Sequence, residues 1–244
     1  MKLNVLAANI AKVVLAGLVV ALFNAFITPA IAETNTSVPR SMLTVKGHVS
    51  VSHAEAAEEV SEGAGGVVVW LVPADTSPKD RRSSVESPHY KIVQRDKTFV
   101  PHLLVVPVGS TVEFPNSDPW LHNVFSISRG TQFDLGLYGT GVIKSVRFDR
   151  PGVSYLFCSI HPEMMAVVVT VDSTYFGVSN KGGRIAIDKV PYGQYFLHSW
   201  HESAVPLAPA VARRRFFVGD DHQNLPTISV SVSRAKPTTV KNWM

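Results

Sequence analysis

Apolar residues along this chain alternate with polar residues or run in short blocks, and Gly, Pro, Asn and Asp separate the blocks. After residue 32, no long stretch repeats its apolar positions with the 3.6-residue period of an amphipathic helix. This pattern predicts an all-β protein built from sandwiches or barrels. The expected strands are residues 43–51, 67–72, 90–93, 103–106, 111–114, 123–128, 145–148, 153–157, 167–171, 175–179, 184–187, 194–200, 214–218 and 227–233.

Two segments interrupt the strand pattern. Residues 52–66 and 74–88 are rich in Ala, Glu, Ser, Gly, Pro and charge, which is typical of mobile connections. A short helical turn within residues 54–60 is compatible with the first segment, and the second is a candidate domain boundary. The chain after residue 32 is longer than one small β-domain needs, and its composition shifts favour two domains.

The first 32 residues have the composition of a secretory signal peptide. Lys2 precedes an apolar stretch at residues 13–27, and the small-residue triplet Ala30-Ile31-Ala32 follows it. A retained membrane anchor is the competing interpretation, but Asn24 interrupts the stretch, which is shorter than the roughly 20 apolar residues of a spanning helix. We therefore expect a periplasmic or secreted protein with no membrane span after cleavage.

The net charge of the chain gives no support for nucleic acid as a partner. The full chain has a formal net charge of +4, and removal of residues 1–32 takes away Lys2 and Lys12 but no acidic residue, which leaves +2. A nearly neutral chain gives no reason to expect binding to nucleic acid. The sequence carries no signal for the oligomeric state.

The single cysteine lies in a short run of metal-ligand types. Cys158 is followed by His161 three residues on and by Met164 six residues on. In an oxidising compartment a lone cysteine cannot form an internal disulfide, and metal binding would protect it, although a buried inert thiol is the alternative. Thiolate, imidazole and thioether together suit copper. His122, 36 residues before Cys158 and after a strand-like run, is the candidate for a further ligand.

Residues 88–172 resemble the cupredoxins, the blue-copper family that includes plastocyanin and amicyanin. The similar parts are Phe99-Val-Pro-His-Leu-Leu-Val-Val-Pro-Val-Gly109, Val112-Glu-Phe-Pro-Asn116, Pro151-Gly-Val-Ser-Tyr-Leu-Phe-Cys158 and the loop Cys158-Ser-Ile-His-Pro-Glu-Met164, which is of the short amicyanin type. The resemblance implies a Greek-key β-sandwich with one type 1 copper centre. Its implied ligands are His122, Cys158, His161 and, in the axial position, Met164. It also implies that the backbone and side chain of Asn123 brace the cysteine loop and the sulfur.

A second resemblance covers residues 182–200, with Gly182-Gly183 and the turn Pro191-Tyr-Gly-Gln-Tyr195. This part is similar to the carboxypeptidase regulatory-like or prealbumin-like β-sandwich. We expect a discontinuous sandwich from residues 41–75 and 174–235, into which the cupredoxin is inserted. The alternative is that residues 43–72 add edge strands to the cupredoxin. The combination is similar to exported proteins labelled methylamine-utilisation-like.

These observations predict an exported copper protein that carries single electrons between protein redox partners. The alternative is periplasmic copper storage or delivery without a redox role. An enzyme is not expected, because the loop of Cys158 and His161 lacks the helix start or oxyanion donor that a Cys–His nucleophile needs. Closed structural zinc sites usually contain two or more cysteines, which disfavours zinc.

Overall fold

Strands account for all regular secondary structure in the part of the chain that the computed structural model describes, residues 41–53, 56–60, 64–75, 89–204 and 214–232. The strands, in chain order, are β1 Met42–His53, β2 Ala56–Val60, β3 Val68–Pro73, β4 Tyr90–Lys91, β5 Val93–Arg95, β6 Thr98–Val100, β7 Leu103–Pro107, β8 Ser110–Pro115, β9 Phe125–Ser126, β10 Phe133–Asp134, β11 Ile143–Phe148, β12 Gly152–Phe157, β13 Met165–Val171, β14 Phe176–Val178, β15 Arg184–Pro191, β16 Gly193–Trp200, β17 Arg214–Val218 and β18 Ile228–Val232. The all-β prediction is confirmed. The predicted signal peptide, residues 1–32, lies outside the described residues, as do residues 76–88.

Three strands were not predicted, and each has a physical reason. Residues 56–60, where a helical turn was considered, form β2 and pair antiparallel with β1, so sheet pairing overrides the helix propensity of Ala and Glu. β6 pairs with β5 across a tight turn at Asp96 and Lys97, whose φ angles of 55° and 53° fit a hairpin turn without its usual glycine. β10 is only two residues long and pairs with β9.

Four sheets contain most of these strands. Sheet I has the order β15-β1-β18, with β2 also paired to β1, and sheet II has the order β14-β3-β16-β17. Sheet III has the order β10-β9-β12-β13-β7, and sheet IV has the order β11-β8-β4. The hairpin β5-β6 stands apart as a two-stranded sheet.

The burial pattern of β3 shows that sheet II packs on both faces. Successive side chains of a strand point to opposite faces. Val69 and Leu71 belong to a hydrophobic cluster with residues of β1, β15 and β18 in sheet I. Val68, Trp70 and Val72 belong to another cluster, with residues of β7, β12 and β13 in sheet III. Sheet II therefore lies between sheets I and III.

Strand β13 has the same double role in sheet III. Ala166 and Val168 join the hydrophobic core that contains residues of sheet IV, whereas Val167, Val169 and Val171 join the cluster shared with sheet II. The sheets thus stack in the order I, II, III, IV, with a hydrophobic layer between each neighbouring pair.

Chain order divides the stack into two parts. Strands within residues 42–73 and 176–232 build sheets I and II, and strands within residues 90–171 build sheets III and IV. Among the described residues, β1 and β3 pair only with strands of the first part. That the two parts are separate domains, at 41–75 with 174–235 and at 88–172, stays a prediction. No helix among the described residues is long and apolar enough to span a bilayer.

Candidate metal centre

The loop between β8 and β9 is held rigidly by the side chain of Asn116. Its amide nitrogen donates to the carbonyl oxygens of Trp120, at 2.8 Å, and Tyr138, at 3.1 Å, and its Oδ1 accepts from the Asp118 N–H at 2.9 Å. The last bond closes a turn of the kind that Asn favours. His122 follows in this loop and exchanges two backbone hydrogen bonds with Tyr138, at 3.0 and 2.9 Å. The backbone position of His122 is therefore fixed from two sides.

The imidazole of His122 is fully buried and oriented by a carboxylate. Its Nε2 lies 2.8 Å from Oδ2 of Asp118, which is itself buried. Burial raises the pKa of Asp118, but hydrogen bonds from the N–H of Lys97, the His122 ring and the N–H of Asp96 outweigh it, so the pKa lies below its ordinary value. Because a carboxylate accepts hydrogen bonds, Nε2 of His122 carries the proton and Nδ1 presents a lone pair.

The loop between β12 and β13 presents the other two donor atoms. Cys158 follows directly after β12 and is buried, and the N–H of Asn123 points to its Sγ at 3.5 Å. His161 is partly exposed, and its carbonyl oxygen accepts the N–H of Met164 at 3.0 Å, which closes the loop before β13 begins. Two loops that are distant in sequence thus meet at one end of the stack of sheets III and IV.

Three of the four predicted ligands converge. Nδ1 of His122 lies 3.1 Å from Nδ1 of His161, and Sγ of Cys158 lies 3.9 Å and 3.7 Å from these two nitrogens. Metal bonds of about 2.0 Å to nitrogen and about 2.3 Å to sulfur, in one plane, would separate such donors by about 3.5 to 3.8 Å. Among the described residues, these three side chains are the group that fits one ion.

The contact between the two nitrogens is shorter than the roughly 3.5 Å that a shared ion would give. With its proton on Nε2, His122 offers only a lone pair at Nδ1. A hydrogen bond from Nδ1–H of His161 to this lone pair accounts for the 3.1 Å approach, and an ion bound by both nitrogens would replace that proton. Cys158 would bind such an ion as its thiolate, the form in which cysteine is a metal ligand.

The fourth predicted ligand, Met164, is buried in the hydrophobic core that also contains Cys158. Met165 begins β13 and packs against the cluster shared by sheets II and III, as expected for a strand residue. The two methionines therefore belong to different hydrophobic layers. The role of Met164 as an axial ligand stays a prediction.

Asn123 supports the site differently from the expectation. Its backbone N–H points to the cysteine sulfur as predicted, but its side-chain amide donates to Oδ1 of Asp134 at 2.7 Å. Asp134 also accepts the N–H of Gly136, and these two bonds hold its pKa below the ordinary value. The side-chain oxygen of Asn123 is buried and has no hydrogen-bond partner among the described residues. The Asn123 side chain thus braces β10, and only its backbone reaches the sulfur.

Sequence reasoning missed three residues that position the site: Asn116, Asp118 and Tyr138. The sequence signal for the first two was present, because Asn-x-Asp directly after a strand is typical of a side-chain-stabilised turn. Tyr138 gave no such signal, since it reaches the His122 loop only through tertiary contact. Trp120 and Leu121, in the loop that carries His122, are about half exposed.

Comparison with known proteins gives matches in structure alone. No protein-family model and no curated protein sequence matches the chain. A purple cupredoxin from Nitrosopumilus maritimus matches with 28% sequence identity and a TM-score of 0.31, over 34% of this chain and 99% of that protein. A copper-containing nitrite reductase from Thermus scotoductus SA-01 matches with 25% identity and a TM-score of 0.34, over 41% of this chain and 25% of that one. A methionine-to-alanine mutant of amicyanin in its Cu(I) form matches with 18% identity and a TM-score of 0.33, over 42% of this chain and 98% of that protein.

Proposed function

We propose that the chain binds one copper ion through Nδ1 of His122, Sγ of Cys158 and Nδ1 of His161, with Met164 as a weak axial ligand, and that it carries single electrons between protein partners. The observation that carries this proposal is the approach of one thiol and two imidazole nitrogens to within 4.8 Å of one another. Bound copper would supply a centre that alternates between Cu(II) and Cu(I), gaining and losing one electron.

The donor set favours copper over other metals. One thiolate with two imidazoles, and a thioether nearby, is the combination typical of blue-copper electron-transfer sites. Structural zinc sites usually offer four strong ligands, often with two or more cysteines, whereas this chain has one cysteine. Calcium and magnesium prefer oxygen ligands, and the three convergent atoms are nitrogen and sulfur.

The rigidity of the two loops supports a redox role. His122 is held by Tyr138 through its backbone and by Asp118 through its ring. Cys158 is buried between β12 and the backbone of Asn123. Ligands that are fixed by the protein rearrange little when the metal changes its charge, which favours fast electron transfer over exchange of the ion.

A route to partner proteins lies at the exposed edge of the site. His161 is the ligand that reaches the surface, and exposed apolar residues adjoin both histidines in sequence, namely Trp120, Leu121 and Ile160. Exposed apolar groups that cluster together often mark protein contact sites. From the predicted signal peptide, we expect electron transfer to partners to take place in the periplasm or outside the cell. The part formed by sheets I and II would serve as a separate docking or anchoring sandwich.

Electrochemistry of the copper-loaded protein tests the proposal. We expect a reversible one-electron wave from the parent protein and from a His89→Ala control, because His89 is an exposed histidine outside the site. The wave should vanish in Cys158→Ser. Storage or delivery of copper, the second candidate function, predicts rapid loss of the ion to a competing chelator and no reversible wave, and that result would overturn the electron-transfer proposal.

A further inference from the structure

Asp118 connects the metal centre to a hairpin that is not part of either ligand loop. Its Oδ1 accepts the N–H of Asp96 at 2.7 Å, and its Oδ2 accepts the N–H of Lys97 at 2.9 Å as well as the Nε2–H of His122 at 2.8 Å. The hydroxyl of Thr140 donates to the Asp118 carbonyl oxygen at 2.5 Å. Both carboxylate oxygens of Asp118 thus accept hydrogen bonds, and these bonds fix the side chain.

The hairpin turn has the shape that this contact needs. Asp96 and Lys97 both have positive φ angles, an uncommon conformation for residues other than glycine. Successive N–H groups in such a turn point to the same side and form a small concave site for an anion. In this protein the anion is the carboxylate of Asp118, so the turn between β5 and β6 is matched to a residue next to the metal centre.

The bond to Asp118 determines which nitrogen of His122 is free. A neutral imidazole has one protonated nitrogen, and the partner of one nitrogen decides the state of the other. With Nε2 donating to Asp118, Nδ1 faces His161 and Cys158 with its lone pair available. Without the carboxylate the ring can also carry its proton on Nδ1, which would have to leave before a metal binds.

We propose that Asp118 is a positioning residue for the metal centre. It fixes the proton and the orientation of the His122 ring and places a buried negative charge next to that ligand. The inference rests on the proposed copper function. A negative charge hydrogen-bonded to a ligand stabilises Cu(II) more than Cu(I), because Cu(II) has the larger positive charge. Asp118 therefore increases Cu(II) affinity and lowers the reduction potential.

The chain offers a matched control for this proposal. Asp96 is the same residue type in the turn that contacts Asp118, but its side chain is 89% exposed and its bond to Asp118 is through the backbone. Asp118→Asn and Asp96→Asn make the same chemical change in neighbouring positions. Asn tolerates positive φ angles well, so Asp96→Asn preserves the turn.

We expect Asp118→Asn to lower Cu(II) affinity by about 10- to 100-fold, the usual effect of losing a group that orients a metal-bound histidine. The reduction potential should rise, by about 59 mV for each tenfold loss of Cu(II) affinity relative to Cu(I). Asp96→Asn should change neither the affinity nor the Cu(II)-to-Cu(I) affinity ratio by more than about twofold. Parent-like affinity and potential in a folded Asp118→Asn protein would overturn the proposal.

A second measurement does not depend on copper. Nitrogen NMR of the metal-free parent protein reports which ring nitrogen of His122 carries the proton, and we expect Nε2. A proton on Nδ1 would refute the role of Asp118 even if the variant fails to fold. If the parent protein binds no copper while His122 still has its proton on Nε2, the proposed function fails and the orienting bond stands.

Discussion

The three convergent side chains of the candidate metal centre differ in how strongly the protein fixes them. His122 is completely buried and held at both its backbone and its ring, and Cys158 is buried at the end of a central strand. His161 is partly exposed and lies in the short loop that Met164 closes. At this scale the site has two fixed donors inside the protein and one donor at its surface.

Met164 provides the first prediction at the residue scale. Replacement by Gln exchanges a soft thioether for a harder amide oxygen, which prefers Cu(II), so the reduction potential should fall and the visible spectrum should change. Met165→Gln is the matched control, because Met165 packs in a different hydrophobic layer. An unchanged potential in Met164→Gln would assign the axial position to another group.

Tyr138 provides a prediction about alkaline stability. Its hydroxyl is buried, donates to the carbonyl oxygen of Phe114 at 3.0 Å and accepts a bond from Gln94, and burial raises its pKa to about 12. The folded protein then holds this proton more tightly than the unfolded chain, whose tyrosines titrate near about pH 10. The resulting stability is complete below about pH 10 and is lost as the pH rises toward about 12, by on the order of 2 kcal/mol.

Urea unfolding at a series of pH values measures this effect. Tyr138→Phe should lose less free energy of unfolding between about pH 10 and 12 than the parent protein does. A residual loss is expected in the variant, because burial also raises the pKa of Tyr155. If the free energy of unfolding depends on pH in the same way in both proteins, the pKa of Tyr138 is not raised by folding.

At the scale of elements, sheet I depends on a close approach between the backbone of Gly183 and strand β1. The turn before β15 contains Gly183, with a φ angle of 73°, and its carbonyl oxygen accepts the N–H of Val49 in β1 at 2.8 Å. A Cβ added to Gly183 would lie 2.3 Å from the carbonyl oxygen of Val49. Only glycine fits at this position of sheet I without moving the strand.

Replacement of Gly183 by Ala should therefore lower the free energy of unfolding by about 3 kcal/mol, from backbone strain together with the clash. Gly141→Ala is the control, because Gly141 also has a positive φ angle, 77°, but an added Cβ would meet no atom within 4 Å. For this control we expect the free energy of unfolding to fall by about 1 kcal/mol. If chemical denaturation gives the same loss of unfolding free energy for both variants, the contact between Gly183 and β1 is not rigid.

At the scale of the whole molecule, the part that contains the candidate metal centre and the part formed by sheets I and II share a hydrophobic layer. Trp70 of sheet II packs in this layer, stacks on His198 at 5.1 Å and donates through Nε1 to Asp172 at 3.2 Å. A second link is the 2.8 Å contact of His102 with Glu202. We expect such a shared layer to couple the unfolding of the two parts.

Thermal unfolding tests this coupling. The visible absorption of bound copper and the far-ultraviolet signal of the strands should be lost at the same temperature in the parent protein. Trp70→Ala should lower both temperatures together, since loss of a buried tryptophan costs about 3 to 5 kcal/mol. The aromatic control Phe217→Ala, at a side chain that is 50% exposed, should have a small effect. Separate transitions for copper and strands would indicate independent parts.

The sequence pattern predicted the strands with long apolar runs and failed where partners decide the structure. β13, which contains the apolar run from Ala166 to Val169, spans Met165–Val171 and was predicted at residues 167–171. β2 and β10 depend on pairing with strands that the local sequence does not reveal. The ligand types followed from spacing and softness in the cysteine loop. The carboxylate of Asp118 did not, because its contact with the β5-β6 turn exists only in the folded chain.

Visible absorption and electron-spin resonance of the copper-loaded whole protein test the central claim most directly. Coordination of Cu(II) by the Cys158 thiolate and the two histidines predicts one copper per chain and an intense blue absorption from sulfur-to-copper charge transfer. Cys158→Ser should abolish this band. If Cys158→Ser takes up copper with the colour and resonance of the parent protein, the thiolate is not a ligand and the proposed centre is wrong.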